Sequence, residues 1–158
     1  FTRGSSHTEY AAYTESSDEY RKGMERLMKK WDTAKTLVPS SYVYPSKKKS
    51  DFGLIFFGTS TYSAEEAMDM LAAKGIAVDA IRLRAFPFDK AFEDFVSSHK
   101  QIFVIEQNRD AQLKSLMMIE LGTEASKLHS VLNFDGMPIT ADFIYNRIAS
   151  SFKTQVAI

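Results

Sequence analysis

The stretch Phe52-Gly53-Leu54-Ile55-Phe56-Phe57-Gly58-Thr59-Ser60-Thr61-Tyr62-Ser63, continued by residues 64–75, decides the fold. Phe52, Leu54, Ile55, Phe56 and Phe57 form a nearly continuous apolar run, too short for a helix of its own. A strand covered on both faces reads this way. Residues 58–62 break the run, and Ser63 is expected to cap a helix, with Glu66 completing a capping box. Ala64, Ala67, Met68, Leu71 and Ala72 fall on one face of that helix. Gly75 is placed to end it, having no Cβ to resist a left-handed backbone. A second apolar run, residues 76–83, follows at once. Strand, helix, strand is a βαβ unit, and such a unit demands a parallel sheet.

Downstream the pattern repeats in kind. Phe86-Pro87-Phe88 turns the chain, and Asp89 is expected to cap a helix carrying Phe92, Phe95 and Val96. Ile102-Phe103-Val104-Ile105 reads as a third buried strand, running into Glu106-Gln107-Asn108. Asp110 is expected to cap a helix carrying Leu113, Leu116, Met117 and Leu121, stopped by Gly122. Residues 128–132 form a fourth strand, in which His129 is expected to pack. After a Gly136-Met137-Pro138 turn, Thr140 caps a last helix with Phe143, Ile144, Ile148 and Phe152 inward.

Upstream, Tyr42-Val43-Tyr44 between two prolines reads as a short edge strand, where proline is tolerated. Lys47-Lys48-Lys49 reads as a solvated turn that also discourages edge pairing. Ser16 with Glu19 opens an amphipathic helix over residues 18–37, with Tyr20, Met24, Leu27, Met28 and Trp31 on one side. Residues 1–17 read as an extended arm. The expected fold is three-layer α/β/α, a mostly parallel sheet of four strands with an antiparallel edge strand. Two segments are expected: residues 1–39, arm and helix, and residues 40–158, the α/β domain.

Composition narrows the chemistry. Twenty basic residues against 20 acidic ones leave no net charge, so nothing global draws the chain to nucleic acid or an anionic membrane. The absence of cysteine removes disulfides, thiolate metal sites and a Cys nucleophile from this chain. It fits a reducing compartment, and a cytoplasmic setting is expected. No apolar stretch approaches the roughly 20 residues needed to span a bilayer. The first residue is Phe rather than Met, which suggests a piece of a longer polypeptide.

In an open α/β sheet, ligands gather beyond the carboxyl ends of the strands. Those ends hold residues 58–61, 84–88, 106–109 and 133–136. Gly58-Thr59-Ser60-Thr61 lacks both the further glycines of a dinucleotide fingerprint and the Gly-Lys-Ser/Thr of a P-loop. An ordinary turn with hydroxyl capping is the plainer reading. Glu106-Gln107-Asn108-Arg109 is the densest polar cluster directly after an apolar strand. A carboxylate there could hold a metal or act as a base; the plainer alternative is hydrogen bonding to neighbouring loops or to an adjoining domain. His7, His99 and His129 have no metal-ligand spacing, and no serine sits in a nucleophile elbow. A free-standing nucleotide- or CoA-binding module using Thr59, Ser60 and Glu106 is the alternative function on these residues.

Four segments together resemble the C-terminal region of the alpha subunit of 2-oxoacid:ferredoxin oxidoreductases, the 2-oxoglutarate and pyruvate synthase family. They are His7-Thr8-Glu9 with the basic helix after it; Phe57-Gly58-Thr59-Ser60 followed by Glu65-Glu66-Ala67; residues 82–88, from Arg82 to Phe88; and Val104-Ile105-Glu106-Gln107-Asn108 followed by Gln112-Leu113. The last is the most specific. Ala111 stands where that motif usually has Gly, and Thr8 where the first segment usually has Asp.

The resemblance implies a transketolase C-terminal-like fold. It implies a noncatalytic assembly domain within an enzyme that oxidatively decarboxylates a 2-oxoacid to acyl-CoA and reduces ferredoxin. Thiamine diphosphate, magnesium, iron–sulfur clusters and CoA would belong to the rest of the complex, none to this chain. No family catalytic residue carries over. The partners implied are other domains and subunits of the oxidoreductase, with no nucleic acid and no membrane. The contact residues it suggests are His7, Glu9, Arg84, Glu106, Gln107, Asn108 and Gln112.

Overall fold

The apolar run at residues 52–57 is the central strand of a five-stranded sheet. In the computed structural model, which describes residues 6–48 and 50–155, the strands are β1 (Tyr42–Tyr44), β2 (Phe52–Phe57), β3 (Asp79–Leu83), β4 (Gln101–Glu106) and β5 (Leu128–Leu132). Residues 1–5 of the expected arm and Lys49 of the lysine turn lie outside the described residues. The helices are α1 (Ser17–Leu37), α2 (Thr61–Ala73), α3 (Lys90–Ser98), α4 (Gln112–Leu121) and α5 (Ala141–Gln155). The sheet order is β1-β3-β2-β4-β5. β3, β2, β4 and β5 run parallel, and β1 joins β3 antiparallel with Val43 opposite Ile81. This is the expected three-layer α/β/α class.

The alternation of side chains along the strands splits the core between the two faces of the sheet. Leu54, Phe56, Ala80, Phe103, Ile105 and Val131 pack with α2 and α5, through Ala64, Ala67, Leu71, Ile144 and Ile148. Ile55, Ile81, Leu83, Ile102, Val104 and Leu128 pack on the other face with α3 and α4, through Phe92, Phe95, Val96, Leu113 and Met117. Gly53 is the one residue of β2 that must be small. A Cβ there would stand 2.8 Å from Cε1 of Phe95 and 3.2 Å from Cγ of His99, so glycine lets α3 lie close to the sheet.

The helix ends show where local chemistry departs from the capping rules. α2 begins at Thr61, not after Ser63. Gly58 takes φ 59° and opens a 3₁₀ turn over Gly58–Ser60, so the strand feeds the helix without a separate cap residue. The Ser60 and Thr61 hydroxyls donate back to the Phe57 and Gly58 carbonyls at 2.6 and 2.7 Å. Ser63 lies inside the helix and donates to the Ile139 carbonyl at 2.7 Å. At the far end of α2 the expectation holds: Gly75 takes φ 76°, and the N–H groups of Gly75 and Ile76 return to Ala72 and Leu71. This is the Schellman closure. β3 starts at Asp79 rather than Ile76 because residues 76–78 complete that turn and lead into the sheet.

Asp110 does not cap α4; Ala111 precedes the helix in the left-handed conformation, φ 50°. Asp89 does precede α3, but its carboxylate accepts from the Ser41 N–H at 2.8 Å and the Ser41 hydroxyl at 2.6 Å, holding β1's leading residue. Thr140 accepts from the Phe143 N–H at 3.2 Å, as a cap should. His129 packs its ring against that of Phe103, 5.3 Å between centroids, while β5, the last strand of the sheet, leaves the residue exposed. Partial burial of the ring, reinforced by the Lys114 charge, lowers its pKa.

The chain divides between Val38 and Pro39 into two compact units. The first carries α1, preceded by an antiparallel bridge between His7 and Tyr13. Ser16 caps α1 by accepting from the Glu19 N–H, and no residue of the helix is buried. The sheet and α2–α5 make up the second unit.

Candidate functional site

Strand order fixes where this sheet would open a crevice. From β2 the chain leaves through α2, on one face; from β4 it leaves through α4, on the other. Adjacent strands whose connections depart to opposite faces define the switch point, and here it lies between the carboxyl ends of β2 and β4. Two residues of the Glu106–Gln112 motif occupy this place.

Glu106, the last residue of β4, is 1% exposed. One carboxylate oxygen accepts from the Leu113 N–H at 2.7 Å and from Asn108 Nδ2 at 2.8 Å; the other accepts from the Lys114 N–H at 3.1 Å. Its charge therefore sits on the unsatisfied N–H groups at the start of α4, where the helix dipole favours an anion. Asn108 Oδ1 accepts from the N–H groups of Asp110 and Gln112 at 3.1 and 3.3 Å. Glu106 and Asn108 thus do the capping that sequence rules assign to Asp110. The left-handed turn at Ala111 brings the helix start over the carboxylate.

Gln107 points across the switch point. Its Nε2 donates to Thr59 Oγ1 at 2.8 Å, and its Oε1 accepts from the Ile139 N–H at 3.3 Å. One side chain thereby ties the loops after β2, β4 and β5, and Ser63 adds its bond to the Ile139 carbonyl. The crevice that doubly wound sheets use for ligands is bridged here.

The remaining polar groups of these loops are also engaged. Asp110 accepts from Arg109 at 2.8 Å. Asp135 accepts from Asn133 Nδ2 at 3.2 Å and from the Met137 N–H at 2.9 Å. Arg84, beyond β3, donates to the Ser40 carbonyl at 3.3 Å. Among the described residues no group of three or more His, Asp or Glu is arranged to hold a metal ion. With Glu106 turned inward and capped, the donors here do not fit a magnesium–pyrophosphate site.

The structure therefore gathers Glu106, Gln107, Asn108 and Gln112 at one end of the sheet, with Arg84 on the loop after β3. His7 and Glu9 lie in the first unit, both exposed, where His7 Nδ1 donates to the Thr8 carbonyl at 2.8 Å. Sequence reasoning missed the bridge from Gln107 to Thr59 and Ile139, for it joins residues far apart in the chain with no local spacing to mark it.

In fold, the parallel sheet with one antiparallel edge is similar to transketolase C-terminal-like domains. A split-gene transketolase, described as an inactive β4 tetramer, superimposes with a TM-score of 0.57 at 20% identity, covering 72% of this chain and 41% of that one.

The particular resemblance is to 2-oxoacid:ferredoxin oxidoreductases. The 2-oxoglutarate:ferredoxin oxidoreductase of Magnetococcus marinus, solved with 2-oxoglutarate, coenzyme A and succinyl-CoA bound, shares the fold with a TM-score of 0.79. It is 24% identical, over 92% of this chain and 25% of that chain. The alpha subunit of the Saccharolobus solfataricus 2-oxoacid:ferredoxin oxidoreductase is 28% identical over 144 residues, 88% of this chain. No family model matches the chain. The resemblance read from the sequence is borne out, and this chain spans 22% of that curated relative.

Proposed function

We propose that this chain is a noncatalytic assembly domain of the alpha subunit of a thiamine-diphosphate-dependent 2-oxoacid:ferredoxin oxidoreductase. The complex would decarboxylate a 2-oxoacid oxidatively to an acyl-CoA and pass the electrons to ferredoxin. Thiamine diphosphate, magnesium, iron–sulfur clusters and CoA would be held by its other parts, in a cytoplasmic enzyme. The observation that carries this reading is the use of the switch point. Gln107 bridges it, and Glu106, the buried acid beside it, is consumed in holding α4. A site so engaged supports neighbouring structure better than it turns over a substrate. The similarity to an alpha subunit of which this chain spans 22% supports a part within a larger machine. His7, Glu9, Arg84, Glu106, Gln107, Asn108 and Gln112 remain the proposed contact residues, Glu106 through the Asn108 side chain that it holds.

Deleting this domain from the full-length subunit tests the reading. The expected result is that subunits cease to copurify and that 2-oxoacid-dependent ferredoxin reduction falls with the loss of assembly. A deleted complex that stays assembled and fully active overturns it, as does turnover by the 158-residue piece supplied with thiamine diphosphate, magnesium and CoA.

A further inference from the structure

We infer that the partner-docking face of the sheet unit is an apolar patch at the carboxyl ends of β2 and β5, centred on Tyr62, Phe134 and Met137. The occupant is an apolar surface without acidic groups on another domain of the same oxidoreductase. The inference rests on the assembly reading above and deepens it, since it adds an apolar centre beside the polar Glu106 motif.

Three observations carry it. The first is exposure. Tyr62 is 83% exposed, Phe134 64% and Met137 68%, and Phe57, the last residue of β2, is 37% exposed. Large aromatic and thioether side chains are what protein interfaces concentrate at their centres, where they bury most area for least lost entropy.

The second is that the loops bearing them are tied to one another. Ser63, next to Tyr62, bonds the Ile139 carbonyl, and Gln107 joins Thr59 to the Ile139 N–H. The Met137 carbonyl accepts from Asn133 Nδ2 at 2.9 Å, closing the loop that holds Phe134. The side chains therefore stand on a fixed platform, and docking them costs little ordering of backbone.

The third is charge. Asp135 and Asp110 are engaged within their own loops, Glu106 is buried, and Arg109 is paired with Asp110. Nothing on these loops offers the cluster of free cations that a nucleotide, a CoA phosphate or a nucleic acid would need. Asp135, exposed between Phe134 and Met137 and bonded to neutral donors, puts a carboxylate at the edge of the patch, so its complement is an apolar surface without acidic groups. The similar alpha subunit has several times more chain than this unit supplies, and that chain is the source of the partner surface.

The test is a photo-crosslinking amino acid placed at Tyr62 in the full-length, assembled enzyme, with Ile119 on α4, 77% exposed and on the opposite face of the sheet from α2, as the reference position. Crosslinks from position 62 that map to another domain or subunit, and none from position 119, are the expected result. The pair Phe134→Asp and Met137→Asp is expected to abolish copurification while circular dichroism stays unchanged. Crosslinks from position 62 to residues 62 or 134–137 of a second copy overturn the inference in favour of self-association. No crosslink, with copurification of the pair variant intact, overturns it in favour of a solvated end. If domain deletion disassembles the enzyme while position 62 stays silent, the patch fails and the assembly role stands. If deletion leaves the enzyme assembled and active, the assembly role itself fails.

Discussion

At Ala111 the backbone takes φ 50°, a conformation in which a Cβ crowds the following carbonyl. The crowding costs a non-glycine residue about 1–2 kcal/mol. The chain accepts it because the turn delivers the N–H groups of Leu113 and Lys114 onto the Glu106 carboxylate. Ala111→Gly relieves the strain but enlarges the freedom of the unfolded chain, so a net gain of about 0.5–1 kcal/mol is expected in urea unfolding. A loss of stability would show that the left-handed turn is not strained.

Glu106→Gln is the converse. The amide keeps the shape, but it loses the charge and turns a donor toward one of the helix N–H groups. A loss of about 2 kcal/mol is expected in the same measurement. Without this capping role, an inward carboxylate with 1% exposure would be a burden whose removal stabilises the fold. The motif was legible in the sequence as a polar cluster after an apolar strand. Its direction was not, because nothing in the residue order says whether a strand-end carboxylate faces solvent or the next helix.

Among the elements, β3 shows how one carboxylate joins three pieces of chain. Asp79 accepts from the Ser46 N–H at 2.7 Å, after β1, and from His99 Nε2 at 3.1 Å, after α3. The other ring nitrogen, Nδ1, lies 2.8 Å from the Phe95 carbonyl. Burial alone would raise the Asp79 pKa, but the bonds from Ser46 and His99 outweigh it and hold the carboxyl below its ordinary value. The sign follows. A depressed acid binds its proton more weakly in the folded state, so its contribution to stability is present above the unfolded-state value near 3.8 and is lost as pH falls below it. Urea midpoints measured from neutral pH downward should fall less steeply in acid for Asp79→Asn than for the parent. Parallel curves would mean the bonds from Ser46 and His99 do not couple to the charge.

The same scale explains which helix starts were readable. Thr140 and Ser16 cap their helices with their own hydroxyls, so the local pattern suffices. For α4 the capping groups come from the strand before it, Glu106 and the Asn108 that follows, and α2 continues a 3₁₀ turn without a side-chain cap. The capping rules then pick Asp110, beside a start that Glu106 already holds, and Ser63, which lies inside its helix.

For the whole molecule, the period of the apolar residues was enough to call for a parallel sheet, since strands 52–57 and 101–106 read as runs buried on both faces. Which strands lie side by side was not legible, because adjacency is decided by long-range packing; the order β1-β3-β2-β4-β5 puts the switch point between β2 and β4. That placement bears on the two functions the residues left open. A small-ligand module would need Thr59, Ser60 and Glu106 free at the switch point. Instead Thr59 accepts from Gln107, Ser60 is buried against the Phe57 carbonyl, and Glu106 holds α4. A ligand there would have to displace bonds already made, and each buried group left unpaired would cost about 1–3 kcal/mol. Thermal unfolding of the domain with nucleotides or CoA should accordingly show no saturable shift. Ligand at 100 times a dissociation constant would stabilise the fold by about 2.7 kcal/mol, a change no unfolding curve would hide. A saturable shift abolished by Thr59→Val would return the switch point to ligand binding and remove the ground on which the assembly reading stands.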